Sequence, residues 1–159
     1  MASKKDDKTN VCRVLDAKKA VYIYRNLGTD ETNGVKLAKL LDQDPNRVFK
    51  TLVTIGKSKT YYVFAIPVCN ELDLKKAAKV VGEKSIEMIP QKDLLPLTGY
   101  VHGGCSPIGM KKFFKTTFHM TAKDFDTIYF SAGKIGCQIE IALSELDKVI
   151  KYELADLTV

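Results

Sequence analysis

Apolar positions along the chain switch repeatedly between a helical and a strand period. Val11, Val14 and Leu15 recur at i, i+3, i+4 spacing and predict a first amphipathic helix over roughly Thr9 to Lys19. Val21 to Arg25, β-branched and aromatic, predicts a short strand. Asn26 to Gly34 is polar and turn-rich, after which Val35, Ala38 and Leu41 return to helical spacing. Asp44-Pro45 offers an N-cap and an N1 proline for a short helical turn. Phe49 to Ile55 and Thr60 to Pro67 flank Gly56-Lys57-Ser58-Lys59 and predict a hairpin. Asp73 to Val81 predicts a third helix, capped by Asp73 and ended by Gly82. Ser85 to Ile89, Tyr100 to His102, Thr127 to Ser131 and Cys137 to Ala142 read as strands, the last two joined by a glycine-bearing turn. Ser144, with Asp147 three residues on, marks the start of a closing helix to about Lys151. The sum is a mixed α/β sheet with helices around it, without the regular βαβ alternation of a doubly wound fold.

Composition narrows the class. A chain of 159 residues suits one domain, and no repeat or linker tract follows residue 10. Residues 1–159 are therefore expected to form a single domain, with the charged stretch 1–8 disordered. The 45% hydrophobic and 28% charged fractions argue against a disordered, collagen-like or membrane chain. The longest apolar stretches, such as Tyr61 to Val68, are too short to span a bilayer, and no signal-peptide core follows the N-terminus. A soluble cytoplasmic protein is the expectation. Cys12, Cys69, Cys105 and Cys137 are scattered without a C-x-x-C pair, which predicts free thiols, no metal site and no cofactor. The net charge of +6 suits a phosphate-bearing partner, although many basic domains bind none.

Several segments carry candidate chemistry, each beside a plainer reading. Gly99 to Gly109 holds four of the ten glycines, so its amides can converge on an anion or carbonyl oxygen, or the segment is simply a tight connection. Cys105 and His102 in that loop suggest a thiol nucleophile and base, but equally a small packed side chain beside a loop histidine. Lys50 is isolated among apolar strand residues, and is either a site residue or a solvent-facing lysine. Ser131 and Lys134 occupy the second glycine turn, where a ligand-binding hydroxyl competes with ordinary turn chemistry. Lys111, Lys112 and Lys115 interleave with Phe113, Phe114 and Phe118, a pattern shared by RNA-binding surfaces and surface strands with an apolar inner face.

Four ordered blocks resemble the YbaK/EbsC family, free-standing relatives of the editing domain inserted in bacterial prolyl-tRNA synthetase. They are Val48-Phe49-Lys50-Thr51-Leu52, Leu72-Asp73-Leu74-Lys75-Lys76, Thr98 to Gly109, and Ser131-Ala132-Gly133-Lys134-Ile135-Gly136. The resemblance spans nearly the whole chain and implies a compact α/β domain on a strongly curved, partly barrel-like mixed sheet. It implies hydrolysis of mischarged tRNA, typically cysteinyl-tRNA(Pro). The family's lysine matches Lys50, its G-x-x-x-P loop matches Gly103 to Pro107, and its tyrosines match Tyr24 and Tyr100. Its strand-end serine matches Ser131. Two positions depart from the pattern. The chain runs from Asn33 directly to Gly34, where relatives insert an aromatic residue, and Gln138 stands where Cys-specific members carry an acid.

The matched blocks contain no Ser-His-Asp set, metal cluster or carboxylate pair. In Cys-specific members the substrate's own thiol attacks its ester carbonyl. The resemblance then implies oxyanion donation by the amides of Gly103, Gly104, Cys105 and Ser106, and a lysine, Lys50, holding the carbonyl side or the terminal-adenosine phosphate. Tyr24, Tyr100, Cys105, Ser106, Pro107, Ser131 and Gln138 are expected to form the substrate pocket. The implied partners are the acceptor end of tRNA(Pro) and prolyl-tRNA synthetase, with no DNA and no membrane. Two other readings stand beside this: a deacylase for alanyl- or seryl-tRNA using water, and a non-catalytic tRNA- or synthetase-binding regulator.

Overall fold

The computed structural model describes residues 8–159; the disorder expected for 1–8 concerns, apart from Lys8, residues outside that range. Lys8 pairs with Asp16 at 2.5 Å. The elements in chain order are α1 (Asn10–Ala17), β1 (Ile23–Asn26), α2 (Gly34–Leu40), a 3₁₀ turn (Pro45–Arg47), β2 (Phe49–Gly56), β3 (Tyr61–Pro67), α3 (Leu74–Val81), β4 (Ile86–Met88) and α4 (Gln91–Thr98). They continue with β5 (Lys115–His119), a 3₁₀ turn (Met120–Asp124), β6 (Ile128–Ser131), β7 (Cys137–Ile141), α5 (Leu143–Leu146) and β8 (Glu153–Ala155).

The strands form two sheets, ordered β1-β7-β6 and β4-β2-β3-β5-β8. The first is antiparallel throughout. The second is mixed, because β3 and β5, and β5 and β8, run parallel. A single parallel bridge from Val48 to Tyr129 joins the start of β2 to β6. Mixed α/β character is thus present, but the described residues form two sheets and no closed barrel, in place of the partly barrel-like sheet that the resemblance implies.

Period-2 alternation on β2 and β3 splits the packing between two layers. Phe49, Val53, Val63 and Ala65 face a core shared with α1, β6 and β7, where Phe118 lies 6.0 Å from both Phe49 and Phe130. Tyr62, Phe64 and Ile66 face Ala77 and Ala78 of α3 on the other side. Each large side chain so buried contributes about 1.5–3 kcal/mol. The caps follow residue chemistry: Thr9 accepts from Cys12 N–H, Asn33 from Lys36 N–H, and Asp73 from the amides of Lys75 and Lys76.

Two sequence expectations need correction, and two elements were not foreseen. Tyr100 to His102 is no strand: Gly99 ends α4 in the left-handed region, and Gly104 N–H turns back onto Val101 O. The closing helix begins after Ala142, not at Ser144, and spans only Leu143–Leu146. Helix α4 has no counterpart in the hydrophobic pattern, since Pro90 and Pro96 bracket adjacent leucines that carry no clear period. Strand β8 is three residues long and is recruited by pairing with β5. No helix among the described residues is long and apolar enough to cross a membrane.

Arg47 ties the two sheets together where β2 begins. Its Nε donates to Thr127 O at 2.7 Å, Nη1 to Gln43, and Nη2 to Thr127 Oγ1 and to Glu140 at 3.5 Å; its guanidinium lies 5.4 Å from the Tyr129 ring centre. Burial raises the Glu140 pKa, but hydrogen bonds from Thr127, Tyr129 and Arg25 and the charge of Arg47 outweigh it, leaving the carboxyl below its ordinary range. Arg47→Ala should lower unfolding free energy by about 2 kcal/mol, the scale of charged hydrogen bonds lost from a shielded site. Urea denaturation measures it.

His119 docks the C-terminus. Its Nδ1 accepts from Leu157 N–H at 3.1 Å, so this nitrogen carries no proton in the folded state. Burial lowers its pKa below the ordinary 6.5; Lys76 lowers it further, while Asp156, Asp124 and the Ala155 backbone oppose. The unfolded chain therefore binds a proton that the folded protein refuses between that depressed value and 6.5. Stability contributed here is complete above pH 6.5 and falls on acidification towards the folded pKa, by at most about 1.4 kcal/mol per pH unit. Denaturation at pH 8 and pH 5.5 should show this drop, and His119→Asn, which keeps an acceptor but cannot titrate, should flatten it.

Candidate active site

A cavity of about 130 Å³ lies where the start of β2 meets α2, the end of β6 and the Gly99–Gly109 loop. Val48 to Leu52 form one wall, Thr32, Gly34, Leu37 and Val68 a second, and Leu94, His102, Gly103 and Cys105 a third. Ser131 and Gln138, cross-strand partners on β6 and β7, close it.

Three polar features of this cavity are unspent. Lys50 is half-buried and its ammonium has no ion-pair or hydrogen-bond partner among the described residues. Gln138 is 4% exposed, and its Oε1 is buried without a donor. The amides of Gly103 and Cys105, which line the cavity, have no partner among the described residues, whereas Gly104 N–H is already committed to Val101 O at 3.0 Å. The Gly104 amide is thus unavailable to a substrate in this loop conformation, contrary to the sequence expectation. A buried polar group left unsatisfied costs about 1–3 kcal/mol, so this concentration calls for a polar ligand.

Cys105 lines the cavity but is poorly suited to nucleophilic attack. Burial pushes its thiol up to about 12, far from the thiolate range, and no hydrogen bond joins it to the exposed His102. Ser131 Oγ accepts from Gly133 N–H at 3.0 Å, which leaves its own proton free to donate. No histidine pairs with it.

The remaining expected pocket residues are placed elsewhere. Tyr100 is buried beneath the two glycine turns. Its hydroxyl donates to Ile108 O at 2.5 Å, and a Cβ added at Gly133 would sit 3.1 Å from its ring. Burial raises its pKa to about 12. It shapes the loop rather than lining the cavity. Ser106 is fully buried and accepts from Ile108 N–H, and Pro107 faces a separate hollow with Phe113 and Phe114. Tyr24 lies on β1, opposite Ile139, and its hydroxyl donates to Cys137 Sγ at 3.2 Å, beside Gln138 but outside the cavity wall. Lys134 is exposed on its turn.

Thr51, Thr32, Leu37, Val68 and Leu94 also line the cavity and escaped the sequence reading as site residues. Thr51 stands inside the matched block around Lys50, so a signal existed; Leu94 sits on the unforeseen helix α4. Gly34 is explained by contact: a Cβ there would lie 2.4 Å from Val68 Cγ1, so α2 starts against this cavity wall only without a side chain. Among the described residues no three His, Cys, Asp or Glu side chains gather as a metal site would require.

Comparison with known proteins identifies the family and the fold. The chain is 42% identical over 161 residues, 99% of its own length and 98% of the relative's, to the Enterococcus faecalis protein named "Putative Cys-tRNA(Pro)/Cys-tRNA(Cys) deacylase EbsC". The crystal structure of hypothetical protein APE2540 superposes with a TM-score of 0.88 at 18% identity, covering 95% of this chain and all of the other. That of "a putative trans-editing enzyme for prolyl tRNA synthetase" gives 0.80 at 20%, covering 94% and 95%. Both of these establish the fold alone. The family model of the aminoacyl-tRNA editing domain matches residues 30–149, which include Lys50, the Gly103 loop, Ser131 and Gln138, and the chain belongs to this family of aminoacyl-tRNA editing domains.

Proposed function

We propose that the protein removes cysteine from mischarged tRNA(Pro), acting in the cytoplasm as a free-standing single-domain module on the acceptor end, with prolyl-tRNA synthetase as its partner. The observation that carries this reading is the small cavity holding an unpaired ammonium, an unsatisfied amide acceptor and free backbone amides, but no activated nucleophile. Such a site positions and stabilises; the substrate must bring the attacking atom.

The thiol of the esterified cysteine supplies it. Its sulfur bonds to the ester carbonyl carbon, the bond from that carbon to the ribose oxygen breaks, and the thiol proton ends on the ribose oxygen. The products are a cyclic thiolactone and free tRNA. Lys50 and the amides of Gly103 and Cys105 stabilise the developing oxyanion. Ser131 donates to the substrate, and Gln138 Oε1 accepts from a substrate N–H or S–H. A neutral amide at 138, where Cys-specific relatives carry an acid, is the feature that favours a second reading, a water-dependent deacylase for alanyl- or seryl-tRNA.

Release of labelled amino acid from Cys-, Ala- and Ser-tRNA(Pro), with and without prolyl-tRNA synthetase, separates them. The thiol route requires Ser-tRNA, which differs by one atom, to be cleaved at least about a hundredfold more slowly. Equal rates would overturn it.

A further inference from the structure

The acyl cavity does not end at its own walls. A second hollow of about 200 Å³ opens beside it, between β2, the end of β4 and α4. Thr51, Leu52, Leu94 and His102 line both spaces, and Met88 and Ile89 extend the second one outwards. Three further surface hollows share no lining residue with the acyl cavity.

Covalent connectivity selects the occupant, given the deacylase reading on which this step rests. The scissile ester oxygen belongs to the ribose of the RNA's last nucleoside. An acyl group seated in a cavity of about 130 Å³ therefore forces that nucleoside into the adjoining space. The second hollow has the right character for it. A dry cavity of about 150 Å³ already accepts a benzene ring, so about 200 Å³ suits one base with its face against apolar walls. Met88, 44% exposed at a sheet edge, offers a thioether to an aromatic face, and the exposed imidazole of His102 offers a stacking plane. At the shared wall the Thr51 hydroxyl is buried and has no hydrogen-bond partner. The sugar hydroxyl beside the ester is the group that connectivity brings closest to that wall.

We propose that this hollow is the seat of the terminal nucleoside, with the base against Met88 and His102 and the Thr51 hydroxyl bonded to the ribose hydroxyl adjacent to the ester. Thr51 then acts as a positioning residue that sets where the carbonyl lies relative to Lys50.

The test pairs protein variants with a changed substrate. Deacylation is followed for wild type, Thr51→Val, Thr51→Ser and Met88→Asp on cysteinylated tRNA ending in adenosine or in 2′-deoxyadenosine. With wild type and Thr51→Ser, loss of the ribose hydroxyl should reduce kcat/KM about tenfold, the scale of one hydrogen bond. With Thr51→Val it should cause no further loss. Met88→Asp should raise KM on both substrates with kcat little changed. Independently, adenosine 5′-monophosphate titrated into wild-type protein should shift the Met88 methyl resonance, and should not bind Met88→Asp. Additive losses for Thr51→Val and the deoxy substrate, or no Met88 shift, would overturn the proposal. Absence of deacylation on every substrate would instead remove the catalytic reading, while the nucleotide titration still decides whether the hollow takes a nucleoside.

Discussion

Lys50→Ala should reduce deacylation of Cys-tRNA(Pro) at least about a hundredfold, while Cys105→Ser stays within about tenfold of wild type. Both residues line the same cavity, so the comparison isolates chemistry from location. Lys50 carries a cation with no partner among the described residues, placed where a carbonyl or phosphate oxygen would be its first strong interaction. Removing one preorganised donor to a developing oxyanion costs about 10²–10³ in rate. Cys105 carries a thiol that burial holds protonated, so the oxygen of serine, similar in size, replaces a wall atom rather than a reactant. The measurement is single-turnover release of cysteine from preformed Cys-tRNA(Pro), with circular dichroism confirming both folds. A Cys105→Ser enzyme that is folded and inactive would show that the protein supplies the nucleophile, and the substrate-assisted route would be abandoned. Lys50→Arg adds a further reading: retained charge with altered reach should recover part of the loss if the role is purely electrostatic.

The parts of this site that sequence reveals are those fixed by local chemistry. Lys50 stands out because a cation interrupts an apolar strand, and the glycine loop because few other segments allow amides to go unpaired. The hairpin β2–β3 and helix α3 were legible for the same reason: turn residues, an Asp73 cap and a Gly82 stop lie next to the elements they define. What local pattern cannot carry is pairing between distant segments. Strand β8 exists because β5 offers it a free edge, and α4 because tertiary contacts of Leu94 and Leu97 outweigh the cost of Pro96. The same limit separated Tyr100 from the pocket. The family resemblance implied substrate contact, but the requirement to satisfy a buried phenol directs its hydroxyl to Ile108 O. Gly104 follows the same logic, its amide consumed by the turn that presents its neighbours. Gln138 stood out in sequence only as a departure from the family's acid; its burial and missing donor show that it presents an unused acceptor to the cavity.

Gly103→Ala should lower kcat for deacylation by about 10²–10³ while the protein remains folded. Gly103 adopts φ of +87°, and a Cβ there would lie 2.6 Å from Thr32 Cγ2 and 2.8 Å from Thr32 Cβ. Left-handed backbone costs a non-glycine residue about 1 kcal/mol. That strain alone would be modest, but the collision with Thr32 across the cavity lining forces the loop away from its place. The amides of Gly103 and Cys105 move with it, and displacement of about 1 Å is enough to remove most of the benefit of preorganised donors. Gly82→Ala provides the matched control. It has φ of +77° at the end of α3, nothing lies within 4 Å of its added Cβ, and it is remote from the cavity. It should therefore cost comparable stability and leave kcat unchanged. Pairing Gly103→Ala with Thr32→Gly removes the two contacts under 3 Å, leaves nothing nearer than Thr32 Cα at 3.4 Å to the new methyl, and should restore part of the lost kcat. Single-turnover rates and thermal midpoints for the three variants separate strain from displacement. A Gly103→Ala protein with kcat within threefold of wild type would mean that the loop amides do not hold the oxyanion, and Lys50 would be left as its main stabiliser.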